Sequence, residues 1–138
     1  MLVASPKYLA THGNPKHPEE LSQHRLLGFA GWNKRVVWEL TNKRKTHTLD
    51  VDGVLTTNEI AGIQYAAEVG QGIADIPSLI CGTALKSKRL MEILPGWRFQ
   101  PTQLSLVHIG NRNVSRIVGL FKTFCVEHIQ QLALYTGL

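Results

Sequence analysis

Hydrophobic and polar positions change their period repeatedly along this chain, and each change marks an element. The clearest succession lies in 51–77, VDGVLTTNEIAGIQYAAEVGQGIADIP. Val51, Val54 and Leu55 suit a strand. Thr56, Thr57 and Asn58 interrupt it. Ile60, Ile63, Ala67 and Gly70 then recur at three and four, one face of a helix. Asn58 is the expected N-cap, with Thr56 and Glu59 as a capping box. Gly62, Ala66 and Ala67 keep that helix slim enough to lie close on a sheet. Gly70 and Gly72 are read as its stop. Ile73–Ile76 returns to strand spacing, and Pro77 opens the next element. A strand, helix and strand of this length predict a crossover unit, its two strands parallel with a right-handed connection.

The remaining pattern fills in around that unit. Leu2–Ala4 reads as a short strand, and Ser5-Pro6 as a helix entry with Ser at the cap and Pro first inside. Tyr8 and Leu9 belong to one or two helical turns that stop at Gly13. His17-Pro18-Glu19-Glu20-Leu21 repeats the entry and predicts a second short helix ending near His24. Arg25–Phe29 is a strand. Val36–Thr41 and Thr46–Asp52 alternate about a turn at 42–45, which predicts an antiparallel hairpin with Leu49 and Val51 on one side and Thr48, Asp50 and Asp52 on the other. Ser78–Leu85 is expected to be a helix that buries Leu79, Ile80 and Leu85. Arg89–Leu94 reads as a strand closed by Pro95-Gly96-Trp97, and 103–110 as another. Asn113 or Ser115 should cap a long helix to about Tyr135. Ile117, Leu120, Phe121, Phe124, Cys125, Ile129 and Leu132 form its wide apolar stripe.

The elements predict an α/β fold, a mixed sheet flanked by helices, in about one domain of 138 residues. Hydrophobic content of 43% is ordinary for a globular chain. No apolar run reaches the length of a membrane span, and Met1–Ala4 is too short and too uncharged to be a signal peptide. A cytoplasmic location with no membrane partner is the expectation. The strand at 103–110 and the last helix both need apolar partners that the rest of the chain does not supply. The chain is therefore read as part of a larger two-lobed domain, and its copies are expected to associate through that helix.

A net charge of +5 permits nucleic-acid contact without showing it. The densest basic run, Lys43-Arg44-Lys45, falls on the expected hairpin turn and reads as solvated. No helix-turn-helix, zinc spacing or aromatic–basic alternation accompanies it. Cys81 and Cys125 form no framework and read as packed, reduced thiols. There is no G-x-S-x-G, H-E-x-x-H, P-loop or G-x-G-x-x-G, and the six histidines lack ligand spacing. No catalytic residue, metal or cofactor is expected, and the chain is read as a non-enzyme. Asn113-Val114-Ser115 fits a glycosylation sequon by pattern alone. The chemistry that remains is binding. Thr57 and Asn58 stand at the carboxyl end of a strand and the start of a helix. Free N–H groups and the helix dipole favour a small anion there, at the edge where open α/β sheets hold ligands.

Val3-Ala4-Ser5-Pro6-Lys7-Tyr8-Leu9, Gly13-Asn14-Pro15 and His17–Leu21 resemble the effector-binding domain of LysR-type transcriptional regulators. The resemblance continues through Trp38-Glu39-Leu40, Val54–Asn58, Gly70–Pro77, Leu90–Pro95, Trp97, Leu106-Val107 and the helix after Ser115. It implies one lobe of a two-lobed, periplasmic-binding-protein-like domain, with residues 1–5 as a hinge strand and 6–100 as the second lobe. Residues 101–138 would be the return strand and last helix of an incomplete first lobe. It implies a small organic or aromatic acid as effector, held weakly here, and DNA contact only through an absent amino-terminal domain. Effector contacts would come from Ser5, Thr57, Asn58, Ile76, Pro77, Phe29 and Trp32, with Gly31 beside Trp32. Gln64, Tyr65 and Glu68 would meet a partner subunit in a homo-oligomer. A fragment of a periplasmic-type solute-binding protein shares the two-lobed plan and is the alternative.

Overall fold

The structure, a computed structural model, describes residues 1–30, 36–43, 45–52, 55–101, 105–107 and 115–136, with the side chains of the last helix described to residue 129. Its centre is a five-stranded sheet built from β1 (Leu2–Ala4), β2 (Leu26–Phe29), β5 (Leu55–Thr57), β6 (Ile73–Asp75) and β7 (Met91–Glu92), in the order β5-β2-β6-β1-β7. β2 runs parallel to both β5 and β6, whereas β1 is antiparallel to β6 and β7. The strands joined by the 51–77 unit are thus parallel, as its length requires, but β2 lies between them.

Side chains alternate across this sheet and feed a core on each face. Leu2, Ala4, Leu26 and Ile73 point to one side, where they meet Tyr8, Leu21, Trp38 and Leu40. Those partners come from α1 (Pro6–His12), a 3-10 turn at Pro18–Gln23, and the hairpin of β3 (Val36–Asn42) and β4 (Lys45–Val51). Val3, Leu27 and Ala74 point to the other side, against Ile63 and Ala67 of α2 (Ile60–Glu68) and Cys81 and Ala84 of α3 (Ser78–Lys86). The small residues Ala66 and Ala67 let α2 lie close on the sheet.

Local sequence chemistry accounts for most boundaries. The Ser5 hydroxyl accepts the Tyr8 N–H at 3.3 Å, and Pro6 opens α1. Gly13 and Gly70 end their helices at φ of +84° and +86°, a region costly for a side chain. Gly72 is not part of that stop. A Cβ there would lie 2.3 Å from the Arg25 carbonyl oxygen, so Gly72 is required by close approach to the chain entering β2.

Other expectations need correction. Asn58 is not the N-cap: α2 begins one residue later, with Glu59 as cap and no side chain bonded to the helix end. The Thr57 hydroxyl takes the Glu59 N–H at 3.2 Å, a local turn that displaces the capping box. The strand read through Val51 and Leu55 is two strands, β4 and β5. In α3 the buried residues are Cys81, Gly82 and Ala84, while Leu79 and Ile80 are more than 40% exposed. The face that this helix turns to the core carries small residues. Of 103–110, Ser105–Val107 are described, and they are exposed and not in a strand. The long helix α4 (Arg116–Thr136) forms with the Ser115 hydroxyl accepting the Val118 N–H. It lies against α3, yet Ile117 is 77% exposed and Leu120, Phe121 and Phe124 are exposed with it. Asn113 lies outside the described residues.

Tyr8 ties α1 to the entry of β2. Its hydroxyl accepts the Arg25 N–H at 2.9 Å and lies 3.2 Å from His24 Nδ1. With Nδ1 unprotonated, the hydroxyl donates its own proton to that nitrogen. Burial lowers the pKa of His24 below its ordinary 6.5, with His12 adding to the effect and Glu20 opposing it. A lowered folded-state value means that this contribution to stability is present above 6.5 and is lost as the pH falls through the folded value. The melting temperature should therefore drop on acidification below 6.5, and His24→Gln, which keeps an acceptor for Tyr8, should flatten that slope in a pH series of melts.

Candidate functional site: the carboxyl edge of the sheet

Three parallel strands end at one edge of the sheet. Phe29 closes β2, Thr57 closes β5 and Asp75 closes β6. The register sets Phe29 beside Thr57, and the Ala30 N–H extends the ladder to the Thr57 carbonyl at 3.0 Å. From β5 the chain enters α2 after two residues, and from β6 it enters α3 after two. Two helix amino-termini therefore open on the same edge. The first N–H groups of each have no partner within the helix, and both dipoles present their positive ends.

The available surface is mixed. Phe29 is 46% exposed, Asn58 and Pro77 are exposed, and Thr57 is half-buried with its hydroxyl committed to Glu59. Ile76 is fully buried, and its main-chain oxygen is taken by the Met1 amino group at 3.1 Å, so the residue is core. The Ile76 N–H donates to the Met1 carbonyl at 3.0 Å. Asp75 meets the Met1 amino group at 3.2 Å, and burial raises its carboxyl above the ordinary value against that group's opposing pull. Trp32, with Gly31, lies outside the described residues.

Ser5 is not brought to this edge. β1 runs antiparallel to β6 with Leu2 opposite Asp75 and Val3 opposite Ala74, which carries Ser5 to the far end of the sheet. There it faces Gly70, is 2% exposed, and has its hydroxyl occupied by α1. The other expected cluster lies on the outer side of α2. Tyr65 is 69% exposed, whereas Gln64 and Glu68 are engaged within the chain. Gln64 donates to Glu68 at 2.8 Å, and Arg89 pairs with the other Glu68 oxygen at 2.6 Å.

Sequence reasoning named the α2 terminus and the Ile76-Pro77 step, where proline caps a helix directly after a strand, and missed the pairing of Met1 with Asp75. No group of three or more metal-ligating side chains is present among the described residues. Cys81 is buried, and burial pushes its thiol further up, away from the thiolate that a nucleophile needs. No helix among the described residues is long and apolar enough to cross a membrane.

A family model described as the LysR substrate binding domain matches residues 1–130. The uncharacterized HTH-type transcriptional regulator YhjC of Escherichia coli is 35% identical over 121 residues, 86% of this chain and 40% of that protein. The HTH-type transcriptional regulator DmlR of Escherichia coli is 29% identical, over 97% of this chain and 45% of its own length. The chain thus spans less than half the length of these curated relatives. Among solved structures, the regulatory domain of AphB from Vibrio vulnificus matches with a TM-score of 0.77 at 26% identity, covering 93% of this chain and 63% of that one. The full-length Vibrio cholerae virulence activator AphB matches with a TM-score of 0.67 at 32% identity, covering 72% of this chain and 34% of that one. These relatives are transcriptional regulators, which sets aside the solute-binding alternative.

Proposed function

The chain belongs to the LysR substrate-binding domain family, and from that premise we propose that it is the effector-sensing part of a LysR-type transcriptional regulator, a binding module and not an enzyme. Residues 1–5 serve as hinge, 6–100 as the second lobe, and 101–138 as the returning segment of the first. The effector is a small organic or aromatic acid, and its carboxylate sits at the carboxyl edge between the α2 and α3 amino-termini. Thr57, Asn58 and Pro77 contact it with Phe29 against its apolar part, while Ile76 stays in the core beneath them. Ser5 takes no part.

The observation that carries this reading is the pair of helix starts that follow β5 and β6 at one edge. Each positive end contributes up to about 1 kcal/mol toward an anion in an exposed setting. In the intact regulator, closure of the opposite lobe completes the pocket and shifts the population of DNA-binding states. DNA is reached through a separate amino-terminal domain. Subunits pair through the outer side of α2, with Tyr65 at its centre, and the exposed face of α4 is covered by protein.

Calorimetry with aromatic and aliphatic carboxylates, and with the matching neutral amides, tests the reading. Carboxylates should bind and amides should not. Thr57→Val, which removes the hydroxyl proton that reaches the carboxylate and undoes the turn before α2, should weaken the best carboxylate about tenfold, the equivalent of one hydrogen bond to a charged group. Equal binding of acids and amides would overturn it.

A further inference from the structure

Beyond that edge, the structure holds a cavity of about 810 Å³ where the tip of the β3–β4 hairpin meets the segments 16–17 and 94–97. Lys16, His17, Lys43 and Lys45 line it, with Leu94 and Trp97 as apolar surface. None of Phe29, Thr57, Asn58, Ile76 or Pro77 belongs to its wall. We propose that this cavity is a second, separate site for a small organic anion that carries two or more carboxylate or phosphate groups on a flat apolar body.

Three observations combine. The first is charge. Three lysines from two distant stretches of chain line the cavity, and among the described residues no carboxylate is paired with Lys16, Lys43 or Lys45. Glu20, the nearby acid, accepts the main-chain N–H of Lys16 at 3.0 Å and not its ammonium. Like charges gathered in this way repel one another, and a multiply charged anion relieves that repulsion.

The second is the lining. Trp97 is half-buried and lines the cavity with Leu94, Pro95 and Gly96, so a ring entering it has an indole to meet. Cationic rim over apolar wall is the complement of a ring bearing several acidic groups. A simple inorganic anion would leave the apolar part unused.

The third is backbone geometry. Among the described residues three non-glycine positions have positive φ, and two of them, Lys43 at +54° and Leu94 at +48°, line this cavity. Such conformations cost of order 1 kcal/mol or more and gather at ligand sites. The Leu94 turn is fixed by the Trp97 N–H on the Leu94 carbonyl at 2.8 Å, and the hairpin tip is tied to the same segment by paired bonds between Thr41 and Arg98 at 2.8 and 2.9 Å. Both walls of the cavity are therefore held before any ligand arrives.

The test uses the whole chain and follows tryptophan fluorescence and calorimetry at low salt. Benzene-1,3,5-tricarboxylate supplies the carboxylate arm and adenosine diphosphate the phosphate arm. Propane-1,2,3-tricarboxylate has equal charge and no ring. At least one ringed anion should bind saturably, more tightly than the ringless one, and weaken steeply toward 1 M salt, where the screening length is about 3 Å. The double variant Lys43→Asn with Lys45→Gln should weaken binding about tenfold, the factor two exposed charge contacts supply. Both positions are exposed, and asparagine tolerates the backbone at 43, so melting should be unchanged. Thr57→Val should leave this affinity intact, which separates failure here from failure at the sheet edge. The proposal falls if neither ringed anion binds, if the lysine variant binds as well as the parent, or if the ringless anion binds equally well. It also falls if short duplex DNA displaces the small anions by way of the same lysines, since the surface would then serve nucleic acid.

Discussion

Gly72→Ala is expected to destabilise the fold by about 3 kcal/mol, the upper part of the range for forcing a group into filled space. The cause is backbone against backbone. A Cβ at this position would sit 2.3 Å from the Arg25 carbonyl oxygen and 3.2 Å from Leu27 Cγ. That carbonyl also accepts the Ile73 N–H at 2.8 Å, the first bond that holds β6 beside β2. No rotamer change relieves the clash, so the two central strands must part. Gly70→Ala, two residues earlier, meets no such obstacle: its nearest neighbours are the Ser5 hydroxyl and the flexible Lys7 side chain at 3.5 Å or beyond. It carries only the strain of φ +86°, about 1 kcal/mol. Urea unfolding of both variants reads the difference. A Gly72→Ala midpoint equal to that of the parent would mean that β2 and β6 are not neighbours in this register.

The second large effect belongs to Ile63. It is fully buried between α2 and the sheet, in the cluster that includes Val3, Leu27, Ala74 and Ile76. Ile63→Ala should cost about 2–5 kcal/mol through lost burial and the cavity left behind. Because α2 packs on β2, β5 and β6, the same change should loosen the turn at Thr57. Tyr65, on the same helix but facing out, provides the contrast. Tyr65→Ala should alter the stability of an isolated chain by less than about 0.5 kcal/mol. Any larger effect that grows with protein concentration would report the subunit contact assigned to that face. Chemical denaturation at two concentrations separates these outcomes.

The local devices of this fold were readable from residues alone. Ser5-Pro6, Gly13 and Gly70 each do what their chemistry dictates, and the alternation of Val36–Asn42 against Lys45–Val51 gives the hairpin. The apolar pairs Leu2/Val3, Leu26/Leu27 and Ile73/Ala74 already imply strands buried on both faces, because successive side chains go to opposite sides. What could not be read was who lies beside whom. The insertion of β2 between β5 and β6 depends on contacts some thirty to fifty residues apart, and it gives Gly72 its real purpose. The same limit applies to the site. Thr57 and Asn58 were placed at a strand end by local pattern, but the direction of β1 decides that Ser5 lies at the opposite edge. Hydrophobicity alone points Leu79 and Ile80 to the core, whereas the folded helix turns Cys81 and Ala84 inward. Lys43 and Lys45 are exposed, as a solvated turn requires, and only the structure brings Lys16 and Trp97 to line the same cavity.

Backbone amide NMR with an aromatic carboxylate as titrant tests the central claim most directly, since it registers weak binding residue by residue. Shifts should rise together at Thr57–Ala61 and Pro77–Ile80, excluding the proline itself, with Phe29 and Ala30 following and Ser5 unmoved. Perturbations confined to Ser5 and the α1 start, or spread without preference over the surface, would contradict the assignment of the effector to this edge.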